Sequence, residues 1–259
     1  MNVNGDEPLA AFPATSVVIQ RAGREPVLAN PNHVIFYGPG TRYRRMLHDA
    51  RGDRCLFVNL RPAAVGELLD ELGVSARSGE IPFEHGPSDA HAYARLRVAA
   101  ARFSGGADDV LELEDAAHEA VVGALERGAD LFVRRRRAPR IRTEHDHHRL
   151  VEGAKELLTE RATQHDSLET LARMLHTSAF HLGRIFRAHT GFSLHAYRTQ
   201  LRLRLALDRL AAEHTDLGTL ALELGFNSHS HFTGAFCTAF STPPSQVRKS
   251  VEAALVARS

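Results

Sequence analysis

Two segments in the C-terminal half of the chain repeat one another. Leu168, Leu171, Ala172 and Leu175 form an i, i+3, i+4, i+7 apolar face, and Leu217, Leu220, Ala221 and Leu224 form the same face 49 positions later. Past a turn that is one residue longer in the second copy, the offset becomes 50, so that Ser178 matches Ser228, His181 matches His231, Leu182 matches Phe232 and Phe186 matches Phe236. Each copy reads as an amphipathic helix, a tight turn, a Ser-capped second helix and a stop. Between them, Ser193 to His214 reads as one long helix.

The second helix of the second copy shows the pattern most sharply. Phe232, Phe236 and Phe240 recur every four residues and must share one buried side. Gly225 supplies the turn, Ser228 the cap, and Pro243-Pro244 forbids continuation. The other side, carrying His229, Ser230, Thr233, Gly234 and Cys237, is small and polar. A helix locked inward by aromatics and left slim outward fits a DNA major groove about 12 Å wide, which makes each copy a helix-turn-helix.

Residues 146–250 resemble the DNA-binding domain of AraC/XylS-family transcription regulators. The motifs that carry the resemblance are "SLETLARMLHTSAFHLGRIFRAHTGFSLHAYRTQLRLRLAL" and "LALELGFNSHSHFTGAFCTAFSTPPSQVR". The resemblance implies double-stranded DNA as partner and RNA polymerase as a further contact. It also implies two reading helices, Ala179 to His189 and His229 to Ala239, held by the long helix on successive major-groove segments about 34 Å apart. In the first, Phe180, His181, Gly183, Arg184 and Arg187 follow the Ser178 cap and lie outside the Leu182, Ile185, Phe186 core stripe. Arg184 is the leading base reader, because a guanidinium can donate twice to guanine; a phosphate contact or surface ion pair is the alternative. Phe180 could press on a thymine methyl or staple the core. In the second, Ser228, His229, Ser230, Thr233 and Gly234 are the candidates. This chain departs from the family there: Gly234 stands where the first copy has Arg184, and no Lys or Arg occurs between Arg209 and Arg248. On the long helix, Arg202 and Arg204 are candidates for phosphate or for intradomain ion pairs.

Charge is unevenly spread along the 259 residues. Residues 1–133 carry 13 Lys and Arg against 19 Asp and Glu, 134–145 carry 6 against 1, and 146–259 carry 13 against 11. An acidic first part would not be drawn to nucleic acid; the rest could be. The block Arg134, Arg135, Arg136, Arg137 through Arg142, interrupted by Pro139, reads as a linker over 134–145, either a solvated spacer or an arm that touches phosphates. The division expected is therefore 1–133, 134–145 and 146–259. "EHDHH" after the block could ligate metal, but Asp146 as an N-cap explains it more simply, and no metal site is assigned. Cys55 and Cys237 have no metal-ligand spacing. No run approaches eighteen apolar residues, and the first residues lack a basic then apolar signal, so no membrane partner and a cytoplasmic place are expected.

The first part begins with β-rich runs, "TSVVIQR", "HVIFYGPG" and "RCLFVNL", and turns helical beyond residue 62. It resembles part of the jelly-roll (cupin-like) sensing domain of the same family, so the fold class expected is multidomain α+β. About sixty strand-like residues are fewer than a closed barrel wants. His33, His48, His85 and His91 lack the spacing of a catalytic metal cluster and read as structural. Leu113, Ala116, Ala117, Ala120, Val121 and Ala124 form a small-residue stripe that could meet a partner helix or pack within the domain; family habit favours a homodimer. The reading is a DNA-binding regulator, not an enzyme, with no cofactor, controlled by a small-molecule effector or by dimerisation. One alternative is a first half that binds no small molecule and serves only dimerisation or partner contact. Another, from a different class, is a metal-dependent cupin enzyme fused to a helical domain.

Overall fold

The computed structural model describes residues 1–76, 80–106, 109–137, 144–212 and 215–256. Its first part is built on two four-stranded antiparallel sheets. One runs β1(Asn2–Val3), β6(Arg42–Leu47), β3(Val17–Arg21), β4(Val27–Ala29); the other runs β7(Cys55–Asn59), β2(Leu9–Pro13), β5(His33–Tyr37), β8(His85–Pro87). Side chains alternate across a strand, and here both faces of the central strands β2 and β5 are covered. Ala11, Ile35 and Tyr37 face the first sheet and pack with Val17, Ile19 and Ala29. Ala10, Phe12, Val34 and Phe36 face the other way, onto helices. That double coverage is why β2 and β5 read as unbroken apolar runs.

The covering helices are α1(Pro62–Glu71), α2(Ala90–Ser104) and α3(Val110–Arg137). The small-residue stripe packs within the domain: Ala116, Ala120, Val121 and Ala124 are buried in the core beneath the sheet, with Leu113 and Ala117 partly buried against it. Small residues are needed because β8 crosses α3 closely, and a Cβ at Gly86 would fall 2.2 Å from the Ala124 carbonyl oxygen.

Two sequence expectations need correction at the end of α3. Arg134 to Arg137 do not open a linker; they continue the helix, where Arg134 donates to Asp130 at 2.7 Å and Arg136 lies 5.6 Å from the Phe132 ring centre. An i, i+4 carboxylate and an i, i+4 aromatic stabilise what like-charge repulsion alone would open. Arg140 and Arg142 lie outside the described residues. Asp146 is likewise inside a helix, α4(Glu144–Glu160), rather than at its cap.

The C-terminal part continues as α5(Leu168–Met174), α6(Ala179–Thr190), α7(Leu194–Ala212), α8(Leu217–Glu223), α9(His229–Phe240) and α10(Pro244–Val256). α9 ends at Phe240 with Ser241 in the left-handed region, ahead of the proline pair, and Pro244 is the first helical residue of α10, where no backbone N–H is required. All four hairpin helices are capped. Ser167, Ser178 and Ser228 each accept a backbone N–H three residues on, and Asp216 accepts those of Gly218 and Thr219. In the turns, Gly225 takes φ +78° and its repeat partner His176 takes φ +52°. The left-handed region strains a residue with a Cβ. His176 is exposed, so His176→Gly is expected to stabilise the chain by roughly 1 kcal/mol, read as a higher urea midpoint. No rise would mean that the ring makes a compensating contact.

The two parts are joined by more than the chain. Ala90, Tyr93 and Ala94 of α2 belong to the same core as Leu203, Leu207, Phe236 and Phe240. Asp208 of α7 accepts from Arg54 at 3.0 Å and from Arg97 at 3.1 Å. Glu152 of α4 accepts from the Leu28 backbone at 2.6 Å and holds the buried Lys155 ammonium at 2.9 and 3.0 Å. Tyr197 of α7 exchanges hydrogen bonds with Asn30, and its carbonyl accepts from Asn32.

Candidate nucleic-acid interface

The inner faces of α6 and α9 are sealed. Leu182, Ile185 and Phe186 of α6 are buried, as are Phe232, Phe236 and Phe240 of α9. In the second hairpin the rings run as a ladder: Phe226 to Phe232 at 5.3 Å, Phe232 to Phe236 at 5.5 Å, Phe236 to Phe240 at 4.5 Å. Packing of this kind fixes the azimuth of each helix and therefore which residues point away from the protein.

The outward face of α6 is open. Arg184 and Arg187 are exposed, and Phe180 is 81% exposed, which rules out its service as a core staple. His181 and Gly183 lie between them, partly covered, with the His181 ring 5.7 Å from that of His147. On α9, His229, Ser230 and Gly234 are exposed, and Thr233 Oγ1 sits 3.3 Å from His229 Nε2, so these two side chains organise one another. A Cβ at Gly234 would meet no atom within 4 Å, so the glycine is not forced by packing. Ser178 and Ser228, placed among the DNA-facing candidates, have their hydroxyl oxygens engaged by the His181 and His231 backbone N–H groups at 3.2 and 3.1 Å.

The Arg-rich end of α3 lies next to α6. Arg134, Arg135 and Arg136 line one cleft of about 1630 Å³ together with Arg127, Arg184 and Arg187. The sequence placed these residues in two separate regions; the fold gathers them around one cleft, which Glu25, Glu84 and Asp130 also line.

Arg202 and Arg204 are not in that cleft. They are 8% and 2% exposed, so neither reaches phosphate, and neither forms an ion pair with a carboxylate among the described residues. Arg202 donates to three backbone carbonyls, those of Ala162, Gln164 and Gly225. Arg204 donates to Asn32 Oδ1, Gln200 Oε1 and the Ser88 carbonyl, with its guanidinium 5.0 Å from the Tyr93 ring centre. Burial pushes both guanidinium groups down to about 10, which still leaves them charged at neutral pH.

Of the scattered histidines, His33 and His85 come together, rings 5.3 Å apart, with His33 Nε2 and His85 Nδ1 buried and unpartnered. Among the described residues no group of three or more His, Cys, Asp or Glu could hold a metal ion. Burial pushes the Cys55 thiol up to about 11, away from reactivity.

Residues 171–250, from within α5 to within α10, match the family model described as "Helix-turn-helix domain". The C-terminal module is a helix-turn-helix domain. This chain is 36% identical over 84 residues to an uncharacterized HTH-type transcriptional regulator of Haemophilus influenzae, covering 32% of this chain and 28% of that protein. It is 40% identical over 81 residues to the HTH-type transcriptional regulator GlxA of Rhizobium meliloti, covering 30% and 24%. The chain thus spans about a quarter of the length of these curated relatives. A solved transcriptional regulator from Chromobacterium violaceum, named for an AraC-type DNA-binding domain, is similar at 23% identity over 41% of this chain and 95% of that one, with a TM-score of 0.39. Among the described residues no helix is long and apolar enough to cross a membrane.

Proposed function

We propose that this chain is a sequence-specific DNA-binding transcription regulator that lays α6 and α9 of its AraC-type domain into two successive major-groove segments. The observation that carries this reading is the pair of capped helices whose aromatic and aliphatic sides are buried while their slim polar sides are exposed. In it Arg184 reads a base, with Phe180, His181, Gly183 and Arg187 around it, and Arg134, Arg135, Arg136 and Arg137 approach the flanking phosphates. The second helix reads with His229, Ser230 and Thr233 and lacks a permanent cation, so its half-site is degenerate. RNA polymerase and a second copy of the chain are further partners in this reading. The first part acts as a clamp that sets the posture of the DNA-binding half, since α2 and the sheet loops bind both α7 and the second hairpin. Whether a small molecule or a protein contact works that clamp, the output is the same.

Fluorescence anisotropy of the full chain on duplex selected from a random pool tests the reading. Affinity should fall steeply with salt, because several phosphate contacts release counterions. Arg184→Ala should cost about 1–3 kcal/mol and relax preference at one or two base pairs. A folded chain indifferent to duplex DNA at low salt would sink it.

A further inference from the structure

We propose that Arg202 is a positioning residue that fixes the two reading helices relative to one another, and so determines which separation of the two DNA segments the chain accepts. The proposal rests on the reading of α6 and α9 as groove-binding helices.

Arg202 sits midway along α7, between the hairpins, and its planar fork is spent on both of them. Nε donates to Ala162 O at 2.6 Å and Nη2 to Gln164 O at 2.7 Å, both in the loop that leads into α5. Nη1 donates to Gly225 O at 2.6 Å, in the turn that leads into α9, and the guanidinium lies 5.8 Å from the Phe226 ring centre. One side chain therefore ties the entry of the first hairpin to the turn of the second.

The two loops also meet directly. A Cβ at Gly225 would lie 2.3 Å from Thr163 O and 2.8 Å from Arg202 Nη2, so the backbones approach as closely as they do only because that residue is glycine. The first loop is itself stiffened. Asp166 accepts twice from Arg161, at 2.7 and 3.1 Å, and its carbonyl accepts from Arg198 at 2.6 Å. A braced loop transmits position: its far end starts α5, which packs on α6, while Gly225 is followed by α9.

Only arginine suits this place. Its donors diverge in a rigid plane and can satisfy three fixed carbonyls at once, whereas a lysine ammonium is a point donor on a flexible stem. The consequence for recognition is geometric. One inserted base pair shifts a groove segment by about 3.4 Å along the axis, and a pair of helices locked to better than that rejects it.

The test uses the full chain and a duplex selected by it from a random pool, remade with one base pair removed or added between the two contacted segments. The unaltered protein should lose about tenfold or more in affinity on either change, equivalent to one wrong base pair. Arg202→Gln should bind all three spacings within about threefold of one another, and Arg202→Lys should fall between. A side chain that merely stabilised the domain would lower affinity on every spacing equally and leave the ratio intact, and that result overturns the proposal. If neither variant shows a folded circular dichroism spectrum, Arg202 is a folding residue and the proposal is likewise overturned. Failure of the unaltered protein to bind any duplex would instead remove the function on which the proposal stands.

Discussion

Arg204→Ala is expected to cost the full-length chain about 3–5 kcal/mol, because it strips the partner from a set of buried polar groups and leaves a cavity. Arg204 is 2% exposed and is answered by oxygens of neutral groups, Asn32 Oδ1 at 2.8 Å, Gln200 Oε1 at 2.7 Å and Ser88 O at 2.8 Å. Two of the three belong to the first part of the molecule, at the start of β5 and just after β8. Deleting the guanidinium leaves those oxygens sealed and unpaired, at about 1–3 kcal/mol each where water does not enter. The stack on Tyr93 is lost with it, and Tyr93 is packed in the core of the second hairpin. Beyond a lower urea midpoint, unfolding should cease to be coincident when followed at the sheets and at the helices, because Arg204 links the two parts. A loss below about 1 kcal/mol would show that the neighbouring contacts of Asp208 and Tyr197 hold the interface by themselves.

Acid should loosen the same seam. His33 is 1% exposed, and burial, then the nearby Lys155 ammonium, hold its imidazole well below its ordinary value of 6.5. His85 is shifted the same way, by burial first and the Lys155 ammonium second. The sign follows from proton counts. Below about pH 6.5 the unfolded chain binds a proton on each of these histidines and the folded chain does not, so stability is held above that pH and lost as pH falls through it. One fully shifted histidine removes about 1.4 kcal/mol per pH unit, and the pair up to twice that. His33 touches Asn30 and Tyr197 and stands near Lys155 and Arg204, all at the junction of the two parts. Unfolding midpoints measured from pH 7.5 to 5.0 should fall steeply, and His33→Gln should flatten about half of the slope. An unchanged slope in that variant would place the acid sensitivity elsewhere.

The sequence determined the hairpins down to the serine caps of their second helices, while the Ser167 and Asp216 caps emerged with the structure. A helix stripe, a serine before it and a proline pair after it act through residues within four positions, so α5, α6, α8 and α9 and the outward sets around Arg184 and His229 were legible without any partner. The runs at β3, β5 and β7 were legible for the same local reason, whereas β8, only "HGP", carried no pattern and exists because Gly86 lets it lie on α3. What only the tertiary structure decided is which partner each ambiguous residue meets. Arg202 and Arg204 are two positions apart on one helix and equally fit for phosphate, for a carboxylate or for carbonyls. Their roles were settled by a loop forty residues upstream and by sheet residues more than a hundred upstream. The alanine stripe of α3 likewise suited a second chain or its own sheet, and the arginine run suited coil or helix until Asp130 met Arg134 and Phe132 met Arg136. Local pattern states what a face can bury or donate; long-range packing selects the surface that accepts it, because burial and desolvation depend on atoms the chain brings from elsewhere.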